Sequence, residues 1–243
     1  MQVSFDKTTV LQQTSTIFET SLTPLLHPQI PMEQKIIDAY IAYVLEHGEQ
    51  PKSVFAFAKT LEMEEGEFYK HFASFATIEN HILQWLFAET KTKLEADEVF
   101  NGYGAREKMM ALFYSWVEHT RNYRSYLLLL HHRNKIHPPV PHYLDCIKDD
   151  FKTFTQTILG EGINNNEVAE RKFLSDKYAD GLWLQFAFIH QFWLKDDSKD
   201  FEKTDAAIEK SLHLAFELMS KGVLDAAIDF GKFLFQNRKM SSN

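Results

Sequence analysis

From Met32 almost to the end of the chain, apolar residues recur three and four positions apart, which is the spacing of one face of an α-helix. No stretch alternates apolar and polar residues in the way that a half-buried strand does. Glycine and proline are scarce, at 9 and 7 of 243 residues, so long helices are seldom interrupted. The sequence therefore predicts an all-α protein.

The pattern divides the chain into three parts. Residues 1–31 are rich in Thr, Ser and Gln and end in a segment with three prolines, so they form either an N-terminal arm or a stretch ahead of a true start at Met32. Residues 32–78 hold three short helical segments, and residues 79–243 hold longer ones, separated by loop compositions such as GEGINNN (160–166). Beyond Ser74 the helices are expected near 75–98, 105–121, 122–133, 142–160, 167–195, 203–220 and 223–238.

Two short helices joined by a tight turn are expected between residues 53 and 72. Ser53 is placed to cap the first helix, and Gly48 to end the helix before it. On the second helix Phe68 and Phe72 lie four residues apart, so they are expected to hold that helix against the preceding two. Ala58 is small enough to let two helices cross closely.

The stretch SVFAFAKTLEMEEGEFYKHFASFATIENHIL (53–83) resembles the helix-turn-helix of TetR-family transcriptional regulators, through Ala58, Gly66, Tyr69, His71 and Phe72. The resemblance implies a three-helix DNA-binding module over residues 32–78, followed by a larger helical domain over 79–243 for ligand binding and dimerisation. It also implies a dimer that binds operator DNA and is released or modulated by a small molecule. The DNA-contacting residues would be Lys52, Ser53, Glu64, Glu65, Glu67, Tyr69, Lys70 and His71.

The charge of this module departs from the family. Glu62, Glu64, Glu65 and Glu67 face a single base, Lys70, which leaves −3 where phosphate is expected. Two interpretations remain open. In one, a glutamate accepts from a cytosine amino group while lysines and Tyr69 hold phosphates. In the other, a TetR-fold protein has lost DNA binding and acts as a lipid- or quinone-binding protein or as an accessory subunit.

The larger domain is expected to hold an apolar pocket. Of the 243 residues, 21 are Phe, and the helix at 167–195 is apolar on two sides, so it must be covered on both. One side is expected to line the pocket, and the other to join Ile208, Leu212 and Phe216 in a dimeric four-helix bundle. The ligand would be apolar or amphipathic. Its contacts are expected to be Phe113, Trp116, Tyr126, Phe151, Trp183, Phe186 and His190.

Other functions find little support in the sequence. No phosphate loop, nucleophile elbow or zinc-protease motif is present, so no enzyme activity, catalytic residue or cofactor is expected. His131, His132, His137 and His142 lack the spacing of metal ligands, and Cys146 is expected to be a small buried residue. No apolar run is long enough to span a bilayer, and the start lacks the features of a signal peptide. We therefore expect a cytoplasmic protein.

Overall fold

The computed structural model describes residues 31–133, 140–171 and 175–220, with Gly222, Phe230, Lys232 and Phe233. Within these ranges the chain is helical and contains no strand, which confirms the predicted fold class. Apart from Pro31, the N-terminal arm (1–31) lies outside the described residues, as does most of the last predicted helix (223–238). The helices are α1 (Met32–His47), α2 (Val54–Thr60), α3 (Glu65–His71), α4 (Phe75–Glu95), α5 (Glu98–Asn101), α6 (Ala105–Thr120), α7 (Arg124–Arg133), α8 (Asp145–Asn164), α9 (Ser175–Lys195) and α10 (Glu202–Met219).

The chain forms two compact units. The N-terminal unit comprises residues 1–96 and 115–147, and the C-terminal unit comprises residues 97–114 and 148–243. Helix α6 therefore contributes its first ten residues to the C-terminal unit and its last six to the N-terminal unit. No helix in the described ranges is both long and apolar enough to cross a membrane.

Local chemistry sets the ends of the first helices. Gly48, at φ 70°, ends α1 in the left-handed conformation, and its N–H donates to the Val44 carbonyl at 2.9 Å. The Ser74 hydroxyl accepts from the Thr77 amide while the Thr77 hydroxyl accepts from the Ser74 amide, so a capping box begins α4.

Aromatic rings form the core between the first four helices. Phe57 of α2 makes edge-on contacts with Tyr40 of α1, Phe68 of α3 and Phe75 of α4, at centroid distances of 6.1, 6.2 and 5.6 Å. Phe68 is fully buried and its contact with Phe57 holds α3 against α2, as predicted, whereas Phe72 packs against Phe68 at 6.4 Å and against His81 of α4 at 5.7 Å. Such rings bury large apolar areas, which lets helices of only seven residues hold their place.

A carboxylate on α4 joins three segments of the N-terminal unit. Oε1 of Glu79 accepts from the Tyr40 hydroxyl at 2.5 Å, from Gln50 Nε2 at 2.9 Å and from Nη2 of Arg133 at the end of α7. Burial, followed by the bond to Glu79, raises the pKa of Tyr40, so its hydroxyl keeps the proton that it donates. We call these four residues the Glu79 junction.

The GEG segment of α8 is helical, whereas the sequence predicted a loop there. A Cβ at Gly162 would lie 2.7 Å from the Ala105 Cβ and 3.0 Å from Cγ2 of Val168. Glycine therefore permits a close approach of α8 to the start of α6, and this contact outweighs its low helix propensity. Near by, the buried ammonium of Lys108 pairs with Glu161 of α8.

The chain enters α9 at Ser175, later than the predicted 167. The preceding segment bonds instead to the C-terminal end of α10, where the Ala169 amide donates to the Met219 carbonyl at 2.8 Å. The Arg171 guanidinium donates to the Ser220 carbonyl at 2.8 Å and to the Tyr178 hydroxyl at 2.7 Å. Carbonyls at a helix end lack partners within the helix, so these donors stabilise both the loop and α10.

Candidate functional site

The helix-turn-helix is formed by α2, a turn and α3. The Ser53 hydroxyl accepts from the Ala56 amide at 3.1 Å and so caps α2. Glu62 sits in the turn at φ 56°, in the left-handed region, and α3 follows from Glu65. Ser53, predicted to contact DNA, thus uses its hydroxyl to begin α2.

One side of α3 is buried and the other is open to solvent. Phe68 lies in the core, whereas Tyr69 is 51% exposed and Lys70 and Gly66 are also exposed. No atom would come within 4 Å of a Cβ at Gly66, so this surface is accessible at the backbone level. Tyr69 and Lys70 thus lie on the side of α3 that a large partner could contact.

Some of the charged side chains on this surface of α3 are paired with one another. The Lys70 ammonium bonds to the Glu67 carboxylate, and the His71 ring lies 3.7 Å from the same group. The bond from Lys70 is the largest cause of the lowered pKa of Glu67. The Tyr69 hydroxyl donates to Glu65 at 3.4 Å. Glu64 precedes α3 with an exposed side chain that makes no capping bond.

Two lysines and one phenylalanine complete the exposed side chains of this module. Lys52 and Lys59 are exposed and form no ion pair with any residue in the described ranges. Phe55, on α2, is 63% exposed and is not among the residues that were predicted to contact DNA. The signal was present, because Phe55 falls outside the apolar spacing of Val54, Phe57 and Ala58.

Four of the predicted pocket residues meet in the C-terminal unit. Phe151 lies 6.4 Å from Phe113, 5.3 Å from Trp183 and 4.8 Å from Phe186, measured between ring centroids. The Phe113 and Phe186 rings are 5.5 Å apart. All four side chains are at most 2% exposed. We call this group, formed by α6, α8 and α9, the aromatic cluster.

The other three predicted pocket residues lie elsewhere. Trp116 and Tyr126 belong to the N-terminal unit, where Trp116 packs against Phe87 at 6.2 Å. The buried Tyr126 hydroxyl has no hydrogen-bond partner among the described residues, and burial, followed by the charge of Glu79, raises its pKa. His190 is buried in the C-terminal unit, 6.0 Å from the Trp193 ring.

Apolar side chains are exposed along α9 and α10. Leu184 and Phe188 of α9 are each 52% exposed, and Leu214 and Leu218 of α10 are 60% and 42% exposed. The two helices are joined by a bond of 2.8 Å from Gln185 to Ser211. Ile208, Leu212 and Phe216, which were expected to join the dimer bundle, are instead buried within their own unit. These three side chains form the inner face of α10, whereas Leu214 and Leu218 lie on its outer face.

The candidate metal ligands take other roles. Within the described ranges, no group of three or more His, Cys, Asp or Glu side chains could hold a metal ion, and His137 lies outside those ranges. The buried His131 ring is 3.4 Å from the Tyr143 hydroxyl, and His142 is 3.3 Å from Asp145. Cys146, which was expected to be buried, is only half-buried, but burial still raises the pKa of its thiol to about 11, so the thiol is unreactive at neutral pH.

Comparisons with known proteins place these features in context. The model of a family described as the tetracyclin repressor-like C-terminal domain matches residues 108–234, which are 127 of the 243 residues. A protein with unknown function from Rhodococcus sp. RHA1 has a similar structure, with a TM-score of 0.53, 14% identity, and coverage of 82% of this chain and 100% of that one. The structure of a bacterial regulatory protein in the tetR family from Rhodococcus RHA1 is also similar, with a TM-score of 0.53 and 14% identity. The match covers 80% of this chain and 100% of that one. At this identity the two structures establish a shared fold, and no curated protein matches the sequence.

Proposed function

Because this chain belongs to the tetracyclin repressor-like (TetR) family, as its helix-turn-helix predicted, we propose that it is a cytoplasmic transcriptional regulator that binds operator DNA as a homodimer. An apolar or amphipathic small molecule, bound in the C-terminal unit, changes its affinity for DNA. The protein acts by binding alone and catalyses no reaction.

The exposed outer side of α3 carries this proposal. Phe68 fixes the inner side, so Tyr69 and Lys70 face outward from a short helix that fits the major groove. Lys52 and Lys59, which lack ion-pair partners in the described ranges, would bind phosphates. The exposed Glu64 would accept from a cytosine amino group.

Dimerisation is supported by the exposed apolar side chains of α9 and α10. Leu184 and Phe188 lie one helical turn apart, as do Leu214 and Leu218, so together they form a face that water solvates poorly. A second copy placed on this face by a two-fold axis would complete a four-helix bundle. Two copies of α3 would then reach half-sites about one helical turn of DNA apart.

Ligand control is supported by the aromatic cluster. Its four rings come from three helices, so a ligand that separates them would move α6, α8 and α9 together. Such a ligand must replace ring-to-ring contacts with contacts of its own, which favours an apolar or aromatic molecule. Binding would then alter DNA affinity through the difference in its own affinity for the two conformations.

A DNA-binding titration tests the proposal. A labelled fragment from upstream of the protein's own gene should bind at about 50 mM salt and weaken by several orders of magnitude near about 200 mM. Lys59→Gln should weaken binding, whereas Lys35→Gln, an exposed lysine of α1, serves as the charge-matched control. Absence of binding at low salt, or equal effects of the two variants, would overturn the assignment.

The pairing of Lys70 with Glu67 favours a second candidate function. In this alternative the fold has lost operator binding and serves as a lipid- or quinone-binding protein or as an accessory subunit. Native mass spectrometry of the purified protein would then detect a co-purified lipid. Charge reversal at Glu64, Glu65 and Glu67 would create no DNA affinity, because nothing else on the surface would be built for DNA.

A further inference from the structure

A shallow pocket of about 350 Å³ opens beside the Glu79 junction. All its lining residues belong to the N-terminal unit, and none of them belongs to the aromatic cluster. Residues of α4, the end of α7, the segment after α1 and the turn before α8 line it. They include Gln50, Ala76, Glu79, Asn80, Arg133 and His142. The volume is at the lower end of the range for small-molecule sites, which begins at about 300 Å³.

Two charged groups at this pocket have unused hydrogen-bonding capacity. All three donors of the junction bond to Oε1 of Glu79, and Oε2 accepts no bond from any residue in the described ranges. On Arg133, Nη2 donates to Glu79 while Nη1 is buried without a partner among those residues. The Arg133 side chain is 24% exposed and lines the pocket, so its positive charge acts on a ligand there although Nη1 itself is buried.

The uncharged lining groups add both donors and acceptors. Asn80 is exposed, and its amide makes no hydrogen bond within the described part of the chain. The Gln50 amide uses its nitrogen to donate to Glu79, which leaves its oxygen to accept. The lining of the pocket thus combines the Glu79 carboxylate and the Arg133 guanidinium with the Gln50 oxygen, which can accept, and the Asn80 amide.

We propose that this pocket binds a small zwitterion, of the chemical class of free α-amino acids. A purely anionic ligand would meet the Glu79 carboxylate, and a purely cationic one would meet the Arg133 guanidinium, so each would face one like charge at short range. A zwitterion places its carboxylate toward the Arg133 guanidinium and the Asn80 amide, and its ammonium toward Glu79 Oε2. The charges of ligand and pocket are then complementary at both ends.

The location of the pocket gives the bound molecule a route to the helix-turn-helix. Gln50 lies three residues before Ser53, which caps α2, and Tyr40 belongs to α1. Both donate to the carboxylate that the ligand would contact. The proposal goes beyond the regulator function and does not depend on it, because binding is measured on the free protein.

The test is a titration of the full chain with each proteinogenic L-amino acid. Binding is measured by the shift in melting temperature and by calorimetry. At least one amino acid should bind saturably below about 10 mM, and its methyl ester and its N-acetyl derivative should each bind about tenfold more weakly. Sodium acetate and methylammonium chloride, which carry only one of the two charges, should not bind in this range. Absence of binding by every amino acid, or equal binding of the ester, would overturn the proposal.

Substitutions locate the site without disturbing the Glu79 junction. Asn80→Leu removes the unused amide, and Ala76→Leu fills the pocket from an exposed position of α4. Each should weaken binding about tenfold or more. Ala88→Leu makes the same change as the second variant at an exposed position of α4 outside the pocket, and should bind as the parent does. Unchanged affinity in both pocket variants would show that an amino acid binds elsewhere and would reject this site.

Discussion

The Lys70 ammonium is bonded to the Glu67 carboxylate, three residues earlier on α3. Both side chains remain partly exposed, so the pair contributes little to folding stability. Its importance lies in charge, because a lysine held by a neighbouring acid is less available to a phosphate.

Glu67→Gln should strengthen DNA binding. The substitution removes one negative charge and frees both Lys70 and His71, so we expect affinity to rise by about tenfold and the slope of log K against log salt to steepen by about 1. Fluorescence anisotropy at several salt concentrations measures both. Glu46→Gln, an exposed acid of α1, makes the same charge change away from α3. Equal gains in the two variants would mean that net charge alone is responsible.

Phe188→Asp should convert the protein to a monomer of 28.4 kDa. A carboxylate in the middle of the exposed face of α9 would be buried without a partner on dimerisation, at a cost of several kcal/mol. Light scattering after gel filtration gives the mass. Phe55→Asp is the control, because Phe55 is similarly exposed but lies on α2. A dimer that survives Phe188→Asp would place the interface elsewhere.

Gly162→Ala should lower the free energy of unfolding by about 1–3 kcal/mol, because its Cβ would overlap Ala105. Gly160→Ala, two residues earlier on α8, meets no atom within 4 Å and should raise stability by up to about 1 kcal/mol through helix propensity. Urea unfolding of the two variants measures both effects. The proposed close approach of α8 to α6 would be wrong if the two changes had the same sign.

Acidification should destabilise the protein through His119. Burial, helped by the charge of Lys93, lowers the pKa of this imidazole to about 4 in the folded chain. The unfolded chain takes up the proton near its usual pKa of about 6.5, so stability falls between about pH 6.5 and 4 and is unaffected above that window. The expected loss from pH 7.5 to 5 is about 2 kcal/mol. His119→Gln should abolish this loss of unfolding free energy between about pH 7.5 and 5. His213→Gln, at an exposed position of α10, should leave the loss unchanged.

The sequence was sufficient where the determinants of structure are local. Ser53 and Gly48 act through atoms a few residues away, so capping chemistry alone predicted α2 and the end of α1. It was insufficient where partners are distant. Gly162 meets a residue 57 positions away, and Arg171 bonds to Ser220, so neither the extension of α8 nor the late start of α9 follows from local composition.

The predicted ligand pocket of the larger domain shows the same difference between local and distant determinants. Periodicity selected rings that are buried, but it could not assign them to one cluster. Phe113 and Trp116 are three residues apart on one face of α6, yet this helix serves both units and the boundary falls between them. The Glu79 junction was missed altogether, because its members are separated by up to 93 residues and have no shared motif.

The members of the Glu79 junction are translated far apart in time, because Arg133 follows the other three in the sequence. The residues of α1 to α4 leave the ribosome first, but the carboxylate that ties α1 to α4 lacks its guanidinium partner until Arg133 has been translated. This partner belongs to a segment made some sixty residues after α3, although domains generally fold as units during synthesis. A message truncated before α7 would release a module that has its aromatic core and the residues for DNA contact but leaves the Glu79 carboxylate without its guanidinium.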